Sequence, residues 1–498
     1  MTQFNLTDSP WLPVRDHGGA PRLIGLQNLF ESPEDFADLD LRPHERISAL
    51  RLLLCITQAA LGAPPDSDDW STFGSDLPAL TTTYLSKWRP AFELFGDGPR
   101  FIQRRPAEAP EPTPVSKLIP HLATGNNPRN FDHGGGTVRS LPPATLALAL
   151  LSFQNFYPLY GAGYKGRGPC VDGNMLHTFL RGPNIRELIL NNCVDQRTIE
   201  ESLGGRGRPL WEQFPSSLAD RPGTDNARMT YLGRLVPLHR TVWLCDDCAH
   251  ALVGQDGWEY PRFEAYREPS ATVITVKDKP RQLWASLDRS IWRDLHALTV
   301  LQRGTNSTAG APLIVQSHFD PAATAPVDIW TGALVSDGKA KILDTVESVF
   351  RLPARLFDPT GRGIYERGVA YARMRAGHLQ DAVKAYGAAM KNESPPIEQA
   401  NRYYWHSLDQ NSPILAELAG DVSLGDLHFG GTPPDTWTQL VRAAVIAAFE
   451  RSCPRNTPRQ IEGFAQGLKA LQPIRGAKAK TRKPDKSPPK VIKQALLT

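Results

Sequence analysis

The hydrophobic pattern of the chain changes near residue 360. Before that point, short apolar runs alternate with turn residues, and 44 prolines and 40 glycines among 498 residues argue against a coiled coil or a simple helical repeat. After it, apolar residues recur at the spacing of one helix face: Trp437, Leu440, Val441, Ala444, Val445, Ala448 and Phe449. The sequence therefore predicts an α+β protein in which a mixed α/β region precedes a helical one.

Three further helical patterns accompany this stripe, over residues 365–390, 396–408 and 460–471. Four helices in one region are typical of a bundle. We therefore expect a large mixed α/β domain over residues 1–360 and a C-terminal four-helix bundle over residues 361–474. Residues 475–498 form a separate basic tail.

The tail explains the positive charge of the chain. Its eight lysines and arginines and one aspartate contribute +7 to a total of +4, so the rest of the chain sums to −3. Such a segment has little to bury and is expected to be disordered, with at most non-specific contacts to polyanions. Nucleic-acid binding by the folded part therefore needs local basic patches rather than a strong overall field.

Signals for membranes or secretion are missing from the sequence. The longest apolar run, residues 144–153, contains Thr145 and Ser152 and is shorter than the roughly 20 residues that span a bilayer. The first five residues have neither the basic region nor the apolar core of a secretory signal. We expect no membrane contact, a cytoplasmic location and six reduced cysteines.

Local patterns predict several elements of the mixed region. Residues 47–61 are expected to form a buried helix, and the alternating runs 271–276 and 329–335 are expected to form strands. Asp337-Gly338 between two apolar runs predicts a hairpin with a type I′ turn, which needs positive φ at both central residues. Residues 106–136 predict a long loop, and long loops are often functional.

One glycine-rich segment, Gly161-Ala162-Gly163-Tyr164-Lys165-Gly166, matches the dinucleotide-binding pattern GxGxxG. That fingerprint requires a buried strand before the loop and a helix after it, and Pro158 and Pro169 interrupt both. An NAD(P)-dependent oxidoreductase therefore remains only an alternative. The loop can instead place bare backbone against a groove floor or phosphate beside Lys165 and Arg167, or it can be a purely structural turn.

Metal and catalytic motifs are weak or missing. Cys245 and Cys248 form a single CxxC, with His250 as a third candidate ligand, whereas a structural zinc site normally uses four ligands. The sequence contains no HExxH, GxSxG, Walker A or EF-hand motif. We therefore predict a protein that is not an enzyme and has no cofactor or metal, although dispersed residues can still converge in space.

A polar segment within the long loop combines amides, a cation, an aromatic ring and a carboxylate. Its members are Asn126, Asn127, Arg129, Asn130, Phe131 and Asp132. Such side chains can hydrogen-bond to base edges and stack or wedge, but the same composition is found in inert surface loops. Both interpretations stay open on composition alone.

Taken in order, several segments resemble the CasA family, the large subunits of the type I-E CRISPR surveillance complex Cascade. They are FNLTDSPWLPVR (4–15), ATGN (123–126), the glycine loop GAGYKG (161–166) ahead of FLRG (179–182), and NRYYW (401–405). Their order and spacing carry the resemblance, which covers essentially the whole chain apart from the basic tail. It implies a large mixed α/β domain followed by a four-helix bundle.

The resemblance also implies a function without catalysis. The subunit would contact the 5′ end of the guide RNA, read the short protospacer-adjacent motif (PAM) duplex from the minor groove and help to open the target for R-loop formation. The implied partners are guide CRISPR RNA, double-stranded target DNA with a PAM, other Cascade subunits and a helicase-nuclease that the subunit recruits. A scaffold subunit that does not read DNA is an alternative from another class.

By position, the resemblance implies roles for three segments and one side chain. The loop over residues 126–132 would engage the RNA end near the PAM, and Gly161, Gly163, Tyr164 and Lys165 would approach the PAM minor groove. There, a backbone carbonyl can accept from the guanine amino group. Asp337, Gly338 and Lys339 would form the wedge at the adjacent base pair, and Arg262 is the candidate for a minor-groove cation.

The chain departs from the family pattern in two places. Some members carry two CxxC pairs that form a zinc site, whereas here residues 141–144 take the place of the first pair. The family wedge carries an amide at its tip, whereas this tip offers Asp337, Gly338 and Lys339. We expect Lys339 to reach phosphates or groove acceptors and Asp337 to shape the turn.

Overall fold

The structure is a computed structural model. It describes residues 3–64, 70–108, 110–119, 138–156, 167–171, 173–217, 219–301, 310–318, 324–337, 342–391, 394–423 and 433–471. Helices and strands are mixed along this part of the chain, as the sequence predicts. The chain divides into two compact units, one of residues 1–367 with 412–432 and the other of residues 368–411 with 433–498.

The strands form small antiparallel sheets with the orders β2-β1-β3, β11-β10-β5, β4-β7-β6 and β8-β9. Their bounds are β1 (Leu12–Asp16), β2 (Pro21–Ile24), β3 (Phe36–Leu39), β4 (Thr113–Pro114), β5 (His177–Leu180), β6 (Arg240–Leu244), β7 (His250–Gly257), β8 (Val273–Val276), β9 (Lys279–Gln282), β10 (Val327–Ser336) and β11 (Ile342–Leu352).

The α-helices occur in both units, and the longest belong to the C-terminal part of the chain. Their bounds are α1 (Leu26–Glu31), α2 (Pro43–Leu61), α3 (Trp70–Phe73), α4 (Leu77–Trp88), α5 (Pro143–Phe156), α6 (Ile185–Leu190), α7 (Gln196–Ser202), α8 (Arg221–Met229), α9 (Tyr231–Leu235), α10 (Leu313–His318), α11 (Pro359–Ala389), α12 (Ile397–Gly420), α13 (Asp435–Ser452) and α14 (Pro458–Leu471). Within the described residues, no helix has both the length and the hydropathy needed to cross a bilayer.

Helix α2 lies in the core of the larger unit and confirms the predicted buried helix. Pro43 occupies its first turn, where a missing backbone N–H costs nothing, and Gly62 ends it with a positive φ of 93°. Most of its residues are buried on every side, as expected for a helix surrounded by other elements. It contacts α4, α5, α9 and strand β10.

The predicted pairing of two strands around residue 337 is confirmed, but the prediction of a two-residue turn at Asp337-Gly338 is wrong. Strands β10 and β11 pair antiparallel over their whole lengths, and Ser336 pairs with Ile342. Five residues, 337–341, therefore connect the strands, whereas a type I′ hairpin uses two. The register shifts by one residue between Val335, which pairs with Asp344, and Ser336, which pairs with Ile342.

A buried ion network joins distant parts of the larger unit. The Glu268 carboxylate accepts from Arg51 Nη1 at 2.6 Å and from Arg234 Nε, and all three side chains are 2% exposed. Arg51 also donates to the carbonyls of Arg234 and Leu235, which ties α2 to α9. Burial alone would raise the pKa of Glu268, but the two guanidiniums outweigh it and lower that pKa.

The smaller unit consists of helices. In the predicted stripe, every residue except Leu440 is buried. The Trp437 indole donates to the carbonyl of Gly368 at 2.9 Å, and the Tyr404 hydroxyl donates to the carbonyl of Ala372 at 2.8 Å, so α11, α12 and α13 are joined by buried side chains. Helix α12 continues to Gly420, beyond its predicted end at 408, although it contains Pro413. The four-helix bundle and the domain boundaries stay predictions.

Substitution of Glu268 by glutamine should lower the free energy of unfolding of the larger unit by about 3–5 kcal/mol, because two buried guanidiniums would lose their only carboxylate within the network. Urea denaturation of the purified chain measures this change. The control is Glu201→Gln, since Glu201 pairs with Arg197 in an exposed i,i+4 ion pair worth about 0.3–0.5 kcal/mol. Equal urea midpoints for the two variants would contradict the assigned role of the network.

Candidate nucleic-acid interface

A groove of about 840 Å³ on the larger unit collects basic side chains. It is lined by four cations and one carboxylate among smaller and aromatic residues: Arg167, Gly173, Asn174, Arg262, Phe263, Glu264, Lys279, Pro280, Arg281, Gln282 and Trp284. Within the described part of the chain, no carboxylate forms an ion pair with Arg262, Lys279 or Arg281. The groove is therefore a local positive patch on a body whose net charge is negative.

Two of the cations belong to the β8-β9 hairpin. Val276 pairs with Lys279, so Lys277 and Asp278 alone form the turn, with positive φ angles of 52° and 61°. These angles define a type I′ turn, which glycine and asparagine adopt more readily than lysine. Lys279 and Arg281 are two residues apart on β9 and so point to the same face of the strand.

Arg262 is displayed on a turn that the buried ion network supports. Its carbonyl accepts from the backbone N–H groups of Ala265 and Tyr266, each at 2.9 Å. The Arg234 guanidinium donates to the carbonyl of Pro261 at 2.7 Å and lies 4.3 Å from the ring centroid of Tyr266. Because Arg234 also binds Glu268, both ends of this turn are fastened to one buried side chain.

Trp284 lines the groove and is 57% exposed. Gly173 packs against the indole ring: a Cβ atom at that position would be 2.2 Å from Cε2 of Trp284, and the φ angle of Gly173 is +69°. The backbone on either side is held, since Leu176 donates to Leu283 and Ala285 donates to Asn174. Only glycine satisfies both the backbone angle and the close contact at residue 173.

The connection between β10 and β11 begins beside the same groove. The Asn174 side chain accepts from the backbone N–H of Ser336 at 2.9 Å and donates to its carbonyl at 3.3 Å. Asp337, the first residue of the predicted wedge, follows directly and is exposed. Gly338 and Lys339 lie outside the described residues.

The described residues on either side of the predicted glycine loop are hydrogen-bonded to each other. Cys170 N donates to the carbonyl of Asn155 at 3.1 Å, and a Cβ atom at Gly168 would be 2.3 Å from the same oxygen. Arg167, at the C-terminal end of the loop, lines the groove. A helix, α5, precedes the loop, whereas the dinucleotide-binding fingerprint requires a strand there.

The structure thus describes two of the predicted site residues, Arg262 and Asp337, and brings both to the groove or its border. The other predicted site residues lie outside the described part of the chain: Asn126, Asn127, Arg129, Asn130, Phe131, Asp132, Gly161, Gly163, Tyr164, Lys165, Gly338 and Lys339. Sequence reasoning missed Lys279, Arg281 and Trp284. A period-two run of cations after a strand pattern was the available signal.

The single CxxC lies in the turn between β6 and β7. Leu141 N donates to the carbonyl of Cys248 at 2.9 Å, so Leu141, the first of the residues 141–144, lies beside the pair. His250 Nδ1 is 2.6 Å from Asp247 Oδ2. The described residues contain no group of three or more potential ligands placed to hold a metal ion. Burial raises the pKa of both thiols.

Comparisons with known proteins identify the family. Residues 5–448 match the family model of the CRISPR-associated protein Cse1. The CRISPR-associated protein CasA/Cse1 of Thermus thermophilus is 29% identical over 508 residues, which cover 95% of each chain. The chain is therefore a member of the Cse1 family, whose proteins, also called CasA, are the large subunits of type I-E Cascade.

Solved structures share the fold over nearly the whole chain. Thermus thermophilus CasA has a TM-score of 0.74 at 23% identity and covers 95% of this chain and 98% of its own. Cse1 from Acidimicrobium ferrooxidans has a TM-score of 0.73 at 17% identity, with 95% and 97% covered. A chain of a CRISPR RNA-guided surveillance complex has a TM-score of 0.70 at 18% identity, with 95% and 100% covered.

Substitution of Gly173 by alanine should lower stability by about 1–3 kcal/mol through its positive φ and should also displace the indole of Trp284. Gly205→Ala is the matched control, because Gly205 has a φ of +82° and a Cβ atom added there would have no other atom within 4 Å. Thermal unfolding and the emission wavelength of tryptophan fluorescence measure the two effects. A Gly173→Ala variant no less stable than Gly205→Ala, with unchanged emission, would contradict the close packing.

Proposed function

We propose that this chain is the non-catalytic Cascade subunit that recognises the PAM duplex from its minor groove and helps to open the target DNA. The observation that carries the proposal is one basic groove at which Arg262 meets described residues next to two other predicted elements. Arg262 lines the groove with Arg167, which follows the glycine loop in sequence, and Asn174 of the groove binds Ser336, which precedes the predicted wedge.

The positive charges of the groove favour binding of a short DNA duplex. Phosphates recur along both strands, and each cation that neutralises one releases a counterion, which gives affinity without sequence preference. Sequence discrimination then requires a contact to base edges. The minor groove presents acceptors at every base pair and a donor only at guanine, so glycine backbone or one cation can distinguish some PAMs while tolerating several.

Strand opening needs only a small contribution from the protein. Breaking one stacking step of DNA costs about 1.4 kcal/mol on average, and pairing with the guide RNA recovers it at each later step. A hairpin end inserted at the first base pair can therefore nucleate opening. The β10-β11 hairpin suits this role because its two strands, paired over ten registered positions, give the connection a firm base.

Guide RNA and the other partners complete the proposal. The loop over residues 126–132 would contact the 5′ end of the guide RNA, other Cascade subunits would hold the chain in the complex, and a helicase-nuclease would be recruited after opening. Family membership supports these assignments, as does the likeness to a chain of a CRISPR RNA-guided surveillance complex. Catalysis is assigned to the recruited enzyme rather than to this chain.

The double variant Arg262→Ala/Lys279→Ala should weaken binding of reconstituted Cascade to a PAM-containing duplex about tenfold at about 0.15 M salt. If each side chain contacts one phosphate, the slope of log affinity against log salt should fall by about 2. Gel shifts at several salt concentrations measure both quantities. The control is Arg197→Ala, an exposed arginine on α7.

The same gel shifts distinguish a subunit that recognises the PAM from a scaffold subunit that does not. A complex that recognises the PAM binds targets with a PAM more tightly than matched targets without one, and the double variant should reduce the affinity for PAM targets. Equal binding to both targets by the unaltered complex would leave only a scaffold role. An unchanged salt dependence of affinity in the double variant would show that Arg262 and Lys279 do not contact DNA phosphates.

Replacing Asp337, Gly338 and Lys339 with alanines should impair R-loop formation more than initial binding, because the wedge acts only when strands separate. We expect an R-loop rate slower by about tenfold or more, measured by permanganate reactivity of unpaired thymines, and less than about a twofold change in affinity for the PAM duplex. A target with a pre-opened bubble next to the PAM should restore the rate. Slow R-loops on the bubble target would contradict a wedge function.

A further inference from the structure

Phosphate contacts and groove readout do not use the exposed indole of Trp284, which lines the groove. Its neighbours Leu283 and Ala285 are buried, so the backbone is fixed while the residue is 57% exposed through its ring. Water is a poor environment for so large an apolar surface. A rigid aromatic ring beside cations is the arrangement by which proteins bind unpaired nucleic acid.

The indole is held in place on one side and open to solvent elsewhere. Gly173 packs against the ring atoms Cε2, Cζ2 and Nε1, where even a methyl group would collide, and the residue is still 57% exposed. Stacking depends on such a flat and fixed surface, because a ring that must first be ordered loses part of the energy it gains.

The surrounding charges favour a nucleic acid over an apolar protein surface. Lys279 and Arg281 line the same groove on one face of β9, five and three residues before Trp284. An unpaired base brings a phosphate on each side of its sugar, and cations in the same groove can neutralise these phosphates. An apolar partner would instead have to bury both cations without a counter-charge.

The position of the indole indicates which base it meets. Asn174 follows Gly173 and binds the backbone of Ser336, so the residues that support the indole also hold the start of the predicted wedge. The predicted wedge therefore begins directly after a residue that Asn174 holds beside the indole. A base opened by that wedge has lost one of its stacking neighbours.

We propose that Trp284 stacks on the first unpaired base of the target DNA, where the duplex opens next to the PAM. This inference rests on the proposed function of the groove and adds a binding residue for the opened state. Stacking on the indole replaces the stacking lost on opening, so Trp284 stabilises the R-loop nucleus and not the closed duplex.

The test uses reconstituted Cascade carrying Trp284→Ala or Trp284→Phe. We expect Trp284→Ala to slow R-loop formation about tenfold, with less than about a twofold change in affinity for a PAM duplex whose protospacer does not match the guide. Trp284→Phe keeps an aromatic ring and should recover most of the rate. Leu287→Ala is the matched control, because Leu287 is 48% exposed and does not line the groove.

A fluorescent base reports stacking directly. We would place 2-aminopurine at the first protospacer position of either strand, with a probe about ten positions away as reference. An unpaired 2-aminopurine is bright in solution and quenched when stacked. With unaltered Cascade, the first-position probe on one strand should stay dim after R-loop formation, and with Trp284→Ala it should become several-fold brighter.

The outcomes separate this inference from the proposed function. If Arg262→Ala/Lys279→Ala weakens PAM binding but Trp284→Ala changes neither rate nor fluorescence, the stacking assignment is wrong and the proposed function stands. If neither variant has an effect, both are wrong. If Trp284→Ala and Trp284→Phe both fail to assemble with the other subunits, Trp284 is a protein contact and the stacking assignment is overturned.

Discussion

The pairing of one buried carboxylate with two buried guanidiniums holds the larger unit together. Glu268 joins Arg51 of the central helix to Arg234, and Arg234 in turn fastens the turn that displays Arg262. Buried charges are costly unless every donor finds an acceptor, and here backbone carbonyls take the remaining donors. The core network therefore fixes the geometry of a surface cation.

Much of the fold could be predicted from the sequence because its signals are local. Helix α2 and the stripe on α13 follow from apolar spacing, and the β10-β11 hairpin follows from two apolar runs around a turn signal. The pairing of Ser336 with Ile342 could not be predicted, because the register of a hairpin depends on cross-strand contacts that a local turn signal does not contain. The extension of α12 past Pro413 likewise depends on packing that propensity does not contain.

The candidate site was harder to predict, since its residues come from four distant segments. Arg262 and Asp337 were named from a family resemblance, whereas Lys279, Arg281 and Trp284 lie on a two-stranded sheet and its continuation that no motif marks. Local charge patterns show that cations are exposed but not that they share a groove. Only tertiary pairing, such as that of Asn174 with Ser336, brings these segments together.

The hydrogen bond between Asn155 and Cys170 has a consequence for how the proposed recognition of DNA could evolve. The described residues on either side of the glycine loop are tied to each other by this bond and by the packing of Gly168 against the same carbonyl. Under the proposed function, exchanges within residues 157–166 would alter the surface offered to a duplex while this connection is kept. A lineage confronted with new viruses can thus vary its recognition of foreign DNA in one exchangeable segment.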